Sequence, residues 1–331
     1  MFNSTTLNFP EFLSGLNSAN FDEIALTIFR YQYYNNEIYN KYCTAIKISP
    51  LNVNSITEIP YLPISFFKSH IVITGKVKQN SIVFESSGTT ADIPSKHYIN
   101  DESLYENTLI SGFEKFYGSP SDYVFLALLP SYLERKNASL VYMANTLMKG
   151  SKHPNNGFFI NEWEKLRIIL EQLQKTKQKT LLLGVTFALL DFAEQHTIDL
   201  SNTIVMETGG MKGRREEMTR QEIHTILKKQ FNLKQVHSEY GMTEMLSQAY
   251  SKADGIYNCT NTLKVLIREP NDPFEIKTFG NGCLNIIDFA NINSCSFIAT
   301  EDIGTVYSDF SFEVKGRIDH AALRGCSLMM A

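Results

Sequence analysis

The sequence has no apolar stretch approaching the length of a membrane span, and its start, Met1-Phe2-Asn3-Ser4-Thr5, lacks the basic and apolar runs of a secretory signal. Both absences predict a cytoplasmic protein with no membrane contact. Charge of one sign is scarce as well: 31 Lys and Arg against 35 Asp and Glu leave a formal net charge of −4. With a pI near 6.0, the chain presents no electrostatic case for nucleic acid or for an anionic surface. Cysteine is sparse, and Cys43, Cys259, Cys283, Cys295 and Cys326 are odd in number and widely spaced. With no Cys-x-x-Cys and no His-Glu-x-x-His, neither a disulfide framework nor a zinc site is indicated, and most of the thiols are expected to be small buried residues. No Gly-x-x-x-x-Gly-Lys-Ser/Thr occurs, which excludes a Walker-type nucleotide loop. There is no internal repeat, low-complexity tract or long linker. At 331 residues and 43% hydrophobic content, the chain can bury a large core in one large or two modest domains.

What the sequence does contain is a run of small and hydroxylated residues, Glu85-Ser86-Ser87-Gly88-Thr89-Thr90-Ala91-Asp92-Ile93-Pro94-Ser95-Lys96-His97, after the apolar segment Ser81-Ile82-Val83-Phe84. Small side chains let a backbone close on a ligand, and successive N–H groups in a tight turn make a concave anion site. The hydroxyls of Ser86, Ser87, Thr89 and Thr90, with Lys96, add donors suited to phosphate. On composition alone a solvated Ser/Thr/Gly connection is the commoner reading.

Around this run the pattern alternates. Residues 21 to 47 carry apolar residues at helical spacing, with a gap at Asn35, and Pro60 and Pro63 end any helix before Ile64-Ser65-Phe66-Phe67-Lys68. Ser103 to Phe116 reads as a helix and Tyr123 to Leu129 as a buried strand. A helix with Asn161 as N-cap follows, then a strand from Thr180 to Val185, a helix from Phe187 to Gln195 and a strand from Thr203 to Glu207. A helix from Arg214 to Phe231 and a strand from Lys234 to His237 complete the series. This predicts a mainly parallel α/β sheet flanked by helices. Beyond Tyr250, short alternating runs separated by Glu269-Pro270-Asn271-Asp272-Pro273 and Gly280-Asn281-Gly282 favour antiparallel hairpins. The expected division is 1–250, a helical segment plus an α/β nucleotide-binding region, and 251–331, a smaller β-rich subdomain with a short tail, both in one compact unit.

Three further motifs stand in order. Glu207-Thr208-Gly209-Gly210-Met211-Lys212-Gly213-Arg214 ends a strand where ligands of open α/β sheets sit, and paired glycines let backbone approach a flat base; alone it is equally a Gly-rich turn. Tyr240-Gly241-Met242-Thr243-Glu244 combines an aromatic face, a hydroxyl and a hard carboxylate oxygen. Gly316-Arg317-Ile318-Asp319 lies near the end. With Ser86 to Lys96, they resemble the motifs of the adenylate-forming (acyl-activating) enzymes. This chain departs from that pattern at Ala91, at Ser95 before Lys96, and at Glu301 in Thr300-Glu301-Asp302. The nearest branch is similar to the acyl-protein synthetases, the LuxE-type subunit of bacterial fatty-acid reductase. That likeness is carried by Leu62-Pro63-Ile64-Ser65-Phe66-Phe67-Lys68, Glu207 to Arg214, Ser238 to Gln248 and Arg324-Gly325-Cys326.

The resemblance implies ATP and Mg²⁺ as cofactors and a carboxylic, fatty acid activated as acyl-AMP. It implies that Ser86, Ser87, Gly88, Thr89, Thr90 and Lys96 hold phosphate, and that Gly209 and Gly210 line the adenine pocket. Tyr240 would stack on adenine, Thr243 bond the α-phosphate, Glu244 hold Mg²⁺, Asp302 accept the ribose hydroxyls, and Arg317 contact ribose or phosphate. His237, at a strand end, either faces the carboxylate to be activated or is structural. Only twelve residues follow Asp319, whereas typical members carry a mobile C-terminal domain with a catalytic lysine there. The expected fold therefore lacks that domain. By resemblance Cys326 is the acyl acceptor, a thiol beside Arg324 on a mobile tail, and the acyl group passes on to a reductase partner. Transfer to CoA or a carrier protein with a lid from another chain, and a non-catalytic nucleotide-binding member, are the alternatives.

Overall fold

The computed structural model describes residues 15–86, 93–130, 137–210 and 218–318. Among the described residues two helices come first, α1 (Phe21–Asn35) and α2 (Glu37–Ala45). The apolar spacing runs across both, but Asn36 adopts extended backbone and its side chain accepts from the Tyr39 amide at 3.0 Å, so it ends one helix and caps the next. Next come β1 (Leu62–Pro63) and α3 (Phe66–Ser69), and then an antiparallel hairpin of β2 (Ile82–Glu85) and β3 (Lys96–Ile99).

From α4 (Glu102–Tyr117) onward, strand and helix alternate as the patterning predicts. The order is β4 (Val124–Leu128), α5 (Ser139–Ser151), β5 (Gly157–Phe159), α6 (Trp163–Thr176), β6 (Thr180–Val185), α7 (Thr186–Gln195), β7 (Thr203–Thr208), α8 (Arg220–Phe231) and β8 (His237–Tyr240). Strands β5, β4, β6, β7 and β8 lie side by side in parallel. β4 and β6 are buried at every position, which is why they read as unbroken apolar runs. The antiparallel half adds β9 (Ala249–Ser251), β10 (Ile256–Cys259), β11 (Leu263–Glu269), β12 (Asp272–Lys277), β13 (Gly280–Asp288), β14 (Phe297–Val306) and β15 (Phe312–Arg317). The α/β class is thus present as one continuous sheet of 13 strands among the described residues, with β8 and β9 at the junction of its halves and β1 added to β14 in parallel.

Three local expectations shift. Glu162, not Asn161, occupies the N-cap of α6, and its carboxylate folds back to accept from the Ile160 amide at 3.1 Å. Helix α8 begins at Arg220, because Thr219 and Glu222 form a reciprocal capping box that closes its first turn. The strand expected over 234–237 runs instead from His237 to Tyr240, where every side chain is buried, while Lys234 and Gln235 are exposed. No helix among the described residues is long and apolar enough to cross a membrane.

The core has two parts. One fills the parallel half, from Phe84 to Tyr250; the other joins α1 and α2 to the antiparallel strands. Phe21 stacks on Phe289 with ring centres 4.2 Å apart, and Phe29 and Tyr39 pack on Phe297. Buried amides fix the same contact: Gln32 Nε2 donates to the carbonyls of Asn291 and Ile292, and Asn36 Nδ2 to that of Ser294. Between the two parts lies Asp288, fully buried at the end of β13. It accepts from the amides of Leu246, Ser247 and Ala290 and from the Ser247 hydroxyl at 2.6–3.0 Å. Replacing it with Ala leaves those buried donors unpaired. Asp288→Ala is therefore expected to lose about 2–4 kcal/mol in urea denaturation; a loss under about 0.5 kcal/mol, typical of a surface site, would show that the network does not hold the fold.

Candidate active site

The hairpin of β2 and β3 positions the Ser/Thr/Gly run. Its neck is closed by two bonds: the Ser86 amide donates to the Ser95 carbonyl at 3.1 Å, and the Ser95 amide to Ser86 Oγ at 2.9 Å. Lys96 pairs across the hairpin with Glu85, 3.5 Å away, with both side chains well exposed. Ser87, Gly88, Thr89 and Thr90 lie outside the described residues, as does Cys326.

The glycine motifs stand at the ends of β7 and β8. Gly209 turns the chain out of β7 with φ +71°, a left-handed conformation that favours glycine, and Gly209, Gly210 and Gly241 are all exposed. A Cβ at Gly241 would meet Glu239 Oε1 at 2.5 Å, so any larger residue there would have to displace that carboxylate. Tyr240, the last residue of β8, is buried among Tyr257 and Phe312, and its hydroxyl donates to Asp302 Oδ2 at 2.8 Å. Arg317 Nε donates to Asp302 Oδ1 at 2.8 Å. Asp302 on β14 and Arg317 on β15 are cross-strand partners, so the sheet register itself brings this pair together. Residues 240, 302 and 317, spread over the sequence, thus form one cluster.

Glu244 is buried, and burial raises its carboxyl above the usual range; the charges of Arg317 and Lys68 oppose the rise. Ser95 also eases that charge, although its hydroxyl is not in hydrogen-bond geometry with any described atom. The Glu244 carbonyl accepts from Asn291 Nδ2 at 2.7 Å, which ties the motif to the same turn that holds Asp288. His97 on β3 bonds the Thr243 carbonyl through Nδ1 at 2.9 Å, and Phe67 meets its ring edge-on. Burial pushes His97 down to about 4, so it is neutral and donates from Nδ1. Through His97 the neck of the hairpin is fastened to Thr243 and Glu244. His97 acts through a long-range contact and Lys68 through its charge; the only sequence signal for them was membership of the motif runs themselves.

Two carboxylates sit beneath the glycines. Thr186 Oγ1 donates to Glu207 Oε2 at 3.0 Å, and Arg220 and His224 approach Glu207 Oε1 at 3.6 and 3.7 Å. Burial pushes Glu207 up, but His224, Ser238 and Arg220 outweigh it and lower its pKa. Glu239 accepts from Thr208 Oγ1 at 2.6 Å; burial raises it to about 7 against that bond, with the Glu207 charge adding. Next to them His237 Nδ1 meets the Tyr117 hydroxyl at 3.1 Å in a buried setting. No cluster of three or more His, Cys, Asp or Glu able to hold a metal occurs among the described residues. A single carboxylate such as Glu244 suits Mg²⁺, which usually takes one or two protein carboxylates and completes its shell with substrate phosphates and water.

A family model described as acyl-protein synthetase, LuxE, matches residues 11–331. A relative named long-chain-fatty-acid–luciferin-component ligase, from Aliivibrio fischeri, is 22% identical over 338 residues, covering 94% of this chain and 87% of its own length. Among solved structures, ATP-bound MatB from Rhodopseudomonas palustris has a TM-score of 0.53 at 14% identity, over 71% of this chain and 47% of that one. A long-chain fatty acid–CoA ligase from Archaeoglobus fulgidus has a TM-score of 0.52 at 14% identity, over 78% and 55%. The chain thus spans about half the length of these solved structures, and the likeness to them is one of fold.

The His237 environment generates a pH test. Burial, with the Lys252 charge adding, lowers its pKa from 6.5 to about 4. The unfolded chain therefore binds the extra proton between these values, so the stability His237 supplies is present above about pH 6.5 and lost as pH falls toward about 4. The unfolding free energy of the wild type minus that of His237→Gln should rise by about 1–3 kcal/mol over this window, other groups cancelling in the difference. A difference independent of pH would contradict a buried neutral imidazole.

Proposed function

The chain belongs to the LuxE acyl-protein synthetase family, and from that premise we propose that it uses ATP to convert a long-chain fatty acid to acyl-AMP and then passes the acyl group to a protein thiol. The observation that carries this reading is the convergence of Tyr240, Asp302, Arg317 and Glu244 with the neck of the Ser/Thr/Gly loop, fastened by His97. Glycine backbone at 209, 210 and 241 gives the base an open, flat approach beside Tyr240. A carboxylate offers about four lone-pair sites. Asp302 uses two of them on Tyr240 and Arg317, which leaves acceptors for ribose hydroxyls.

Thr243, Lys96 and the donors of Ser86 to Thr90 hold the α-phosphate. Lys96 must leave Glu85 to do so, and an exposed ion pair of that kind is worth only about 0–1 kcal/mol, so the exchange is cheap. The acid's carboxylate oxygen attacks the α-phosphorus; an O–P bond forms, the α–β phosphoanhydride breaks, and pyrophosphate leaves with the electron pair. Glu244 would hold Mg²⁺, which when bound would supply charge neutralisation for this displacement. A thiolate then attacks the acyl carbon and AMP leaves.

The acceptor in this reading is Cys326. Burial pushes Cys43 and Cys259 up to about 12 and Cys295 higher still, and Cys283 is buried. None of these four is suited to act as a nucleophile at neutral pH.

Tetradecanoate-dependent exchange of pyrophosphate into ATP is the test. Wild type should support it, and Glu244→Gln and Lys96→Ala should each lower it by about 10²–10³-fold, the usual cost of one preorganised charge-stabilising group. No exchange in the wild type with any acid would favour a non-catalytic nucleotide-binding protein. Cys326→Ser should retain exchange but lose hydroxylamine-sensitive acylation of the chain; intact acylation would remove Cys326 as acceptor, and turnover with free CoA alone would redirect the second step.

A further inference from the structure

A groove of about 310 Å³ lies between the β2–β3 hairpin, helix α5 and strand β5, at the small end of the ~300–1,000 Å³ typical of small-molecule sites. Its walls are Ile82, Phe84, Val141, Tyr142 and Phe158, and all but Phe84 are only half-buried despite their apolar contact. The Tyr142 ring stacks on Tyr105 and meets Phe84 edge-on, and its hydroxyl is spent on Glu102 and Glu106. What it offers the groove is therefore hydrocarbon. Among the described residues that line it, the side-chain polar groups besides it are the amides of Asn137 and Asn145, both exposed, and none is charged.

The groove is connected to the candidate active site by the chain itself. The Glu85 amide donates to the Asn137 carbonyl at 2.9 Å, joining the end of β2 to the residues that precede α5. Ser86, which closes the phosphate-loop neck, lies two residues beyond Phe84, about 7 Å along an extended chain. An apolar slot thus opens next to the place where the acid's carboxylate must meet the α-phosphate.

We propose that this groove is the acyl-chain subsite, taking an unbranched hydrocarbon tail with its carboxylate directed toward Ser86, and that Val141 and Phe158 set the chain length accepted. The inference rests on the acyl-activating reading above. A polar arm such as a peptide or pantetheine would leave its amides facing hydrocarbon walls, which is costly for a buried polar group; a saturated chain loses nothing there and gains with each buried methylene.

The test pairs kinetics with direct binding on the full chain. Val141→Trp fills the groove from its half-exposed wall, and Phe158→Ala widens it. The ratio of kcat/KM in pyrophosphate exchange for tetradecanoate over hexanoate should fall at least about tenfold in Val141→Trp, since even one methylene denied a pocket costs ~10-fold or more. Phe158→Ala should move the optimum to longer acids. Displacement of the fluorescent fatty acid cis-parinaric acid by tetradecanoate, followed without ATP, should be measurable in the wild type and weakened in Val141→Trp. An unchanged ratio in a folded Val141→Trp protein, or equal displacement in wild type and variant, would overturn the subsite while leaving acid activation intact. Displacement in the wild type, lost in Val141→Trp, with no exchange for any acid would instead sink the activation chemistry and retain the groove.

Discussion

The buried carboxylate of Asp288 is the constraint on which the arrangement depends. It draws the amides of Leu246 and Ser247 onto the end of β13, just where the chain turns from the parallel half of the sheet at β8 to the antiparallel half at β9. Burial outweighs these bonds and raises its pKa, so the group is held at a cost. A buried, unneutralised acid is tolerated because its donors come from one short turn and would otherwise be unpaired themselves. Asn291 extends the same turn to the Glu244 carbonyl, and Gln32 and Asn36 fasten it to α1 and α2. The helices at the start of the described chain thus steady a motif more than two hundred residues later.

With that turn fixed, the charges of the site fall into two kinds. Asp302 is satisfied, shared between Tyr240 and Arg317, and can receive further donors without losing the ones it has. Glu244 is held differently: burial penalises its charge, and Ser95, Arg317 and Lys68 ease it. In the proposed reading such a carboxylate would take an added cation, whereas Glu207, which already has Arg220 and His224 close by, would steady the strand end that leads to Gly209.

Much of this was legible in the sequence, for reasons of short range. β4 and β6 are buried on both faces and so read as plain apolar runs, and the Gly209-Gly210 and Tyr240-Gly241 pairs mark strand ends where backbone must stay open. The start of α8 was misread because helical periodicity says nothing of where a capping box will cut it, although Thr219 and Glu222 stood at the right spacing. The β8 boundary was misread because His237 to Tyr240 mixes polar and aromatic residues that only the buried neighbourhood of β7 makes strand-like. His97 and Asp288 were not recognised as anchors at all: their partners lie 146 and about 41 residues away, and no local pattern records such a contact. The motif residues were found because a resemblance put them in order, and the structure then brings Tyr240, Asp302 and Arg317 within hydrogen-bond distance.

The most direct measurement is a crystal structure of the full chain with a nonhydrolysable acyl-adenylate, an acyl sulfamoyl adenosine. The account predicts the ribose hydroxyls at hydrogen-bond distance, about 2.5–3.0 Å, from Asp302, the base beside Tyr240 and Gly209, and the sulfamoyl group between Thr243 and the Ser86–Lys96 loop. An adenosine bound away from Asp302 and Tyr240 would contradict it.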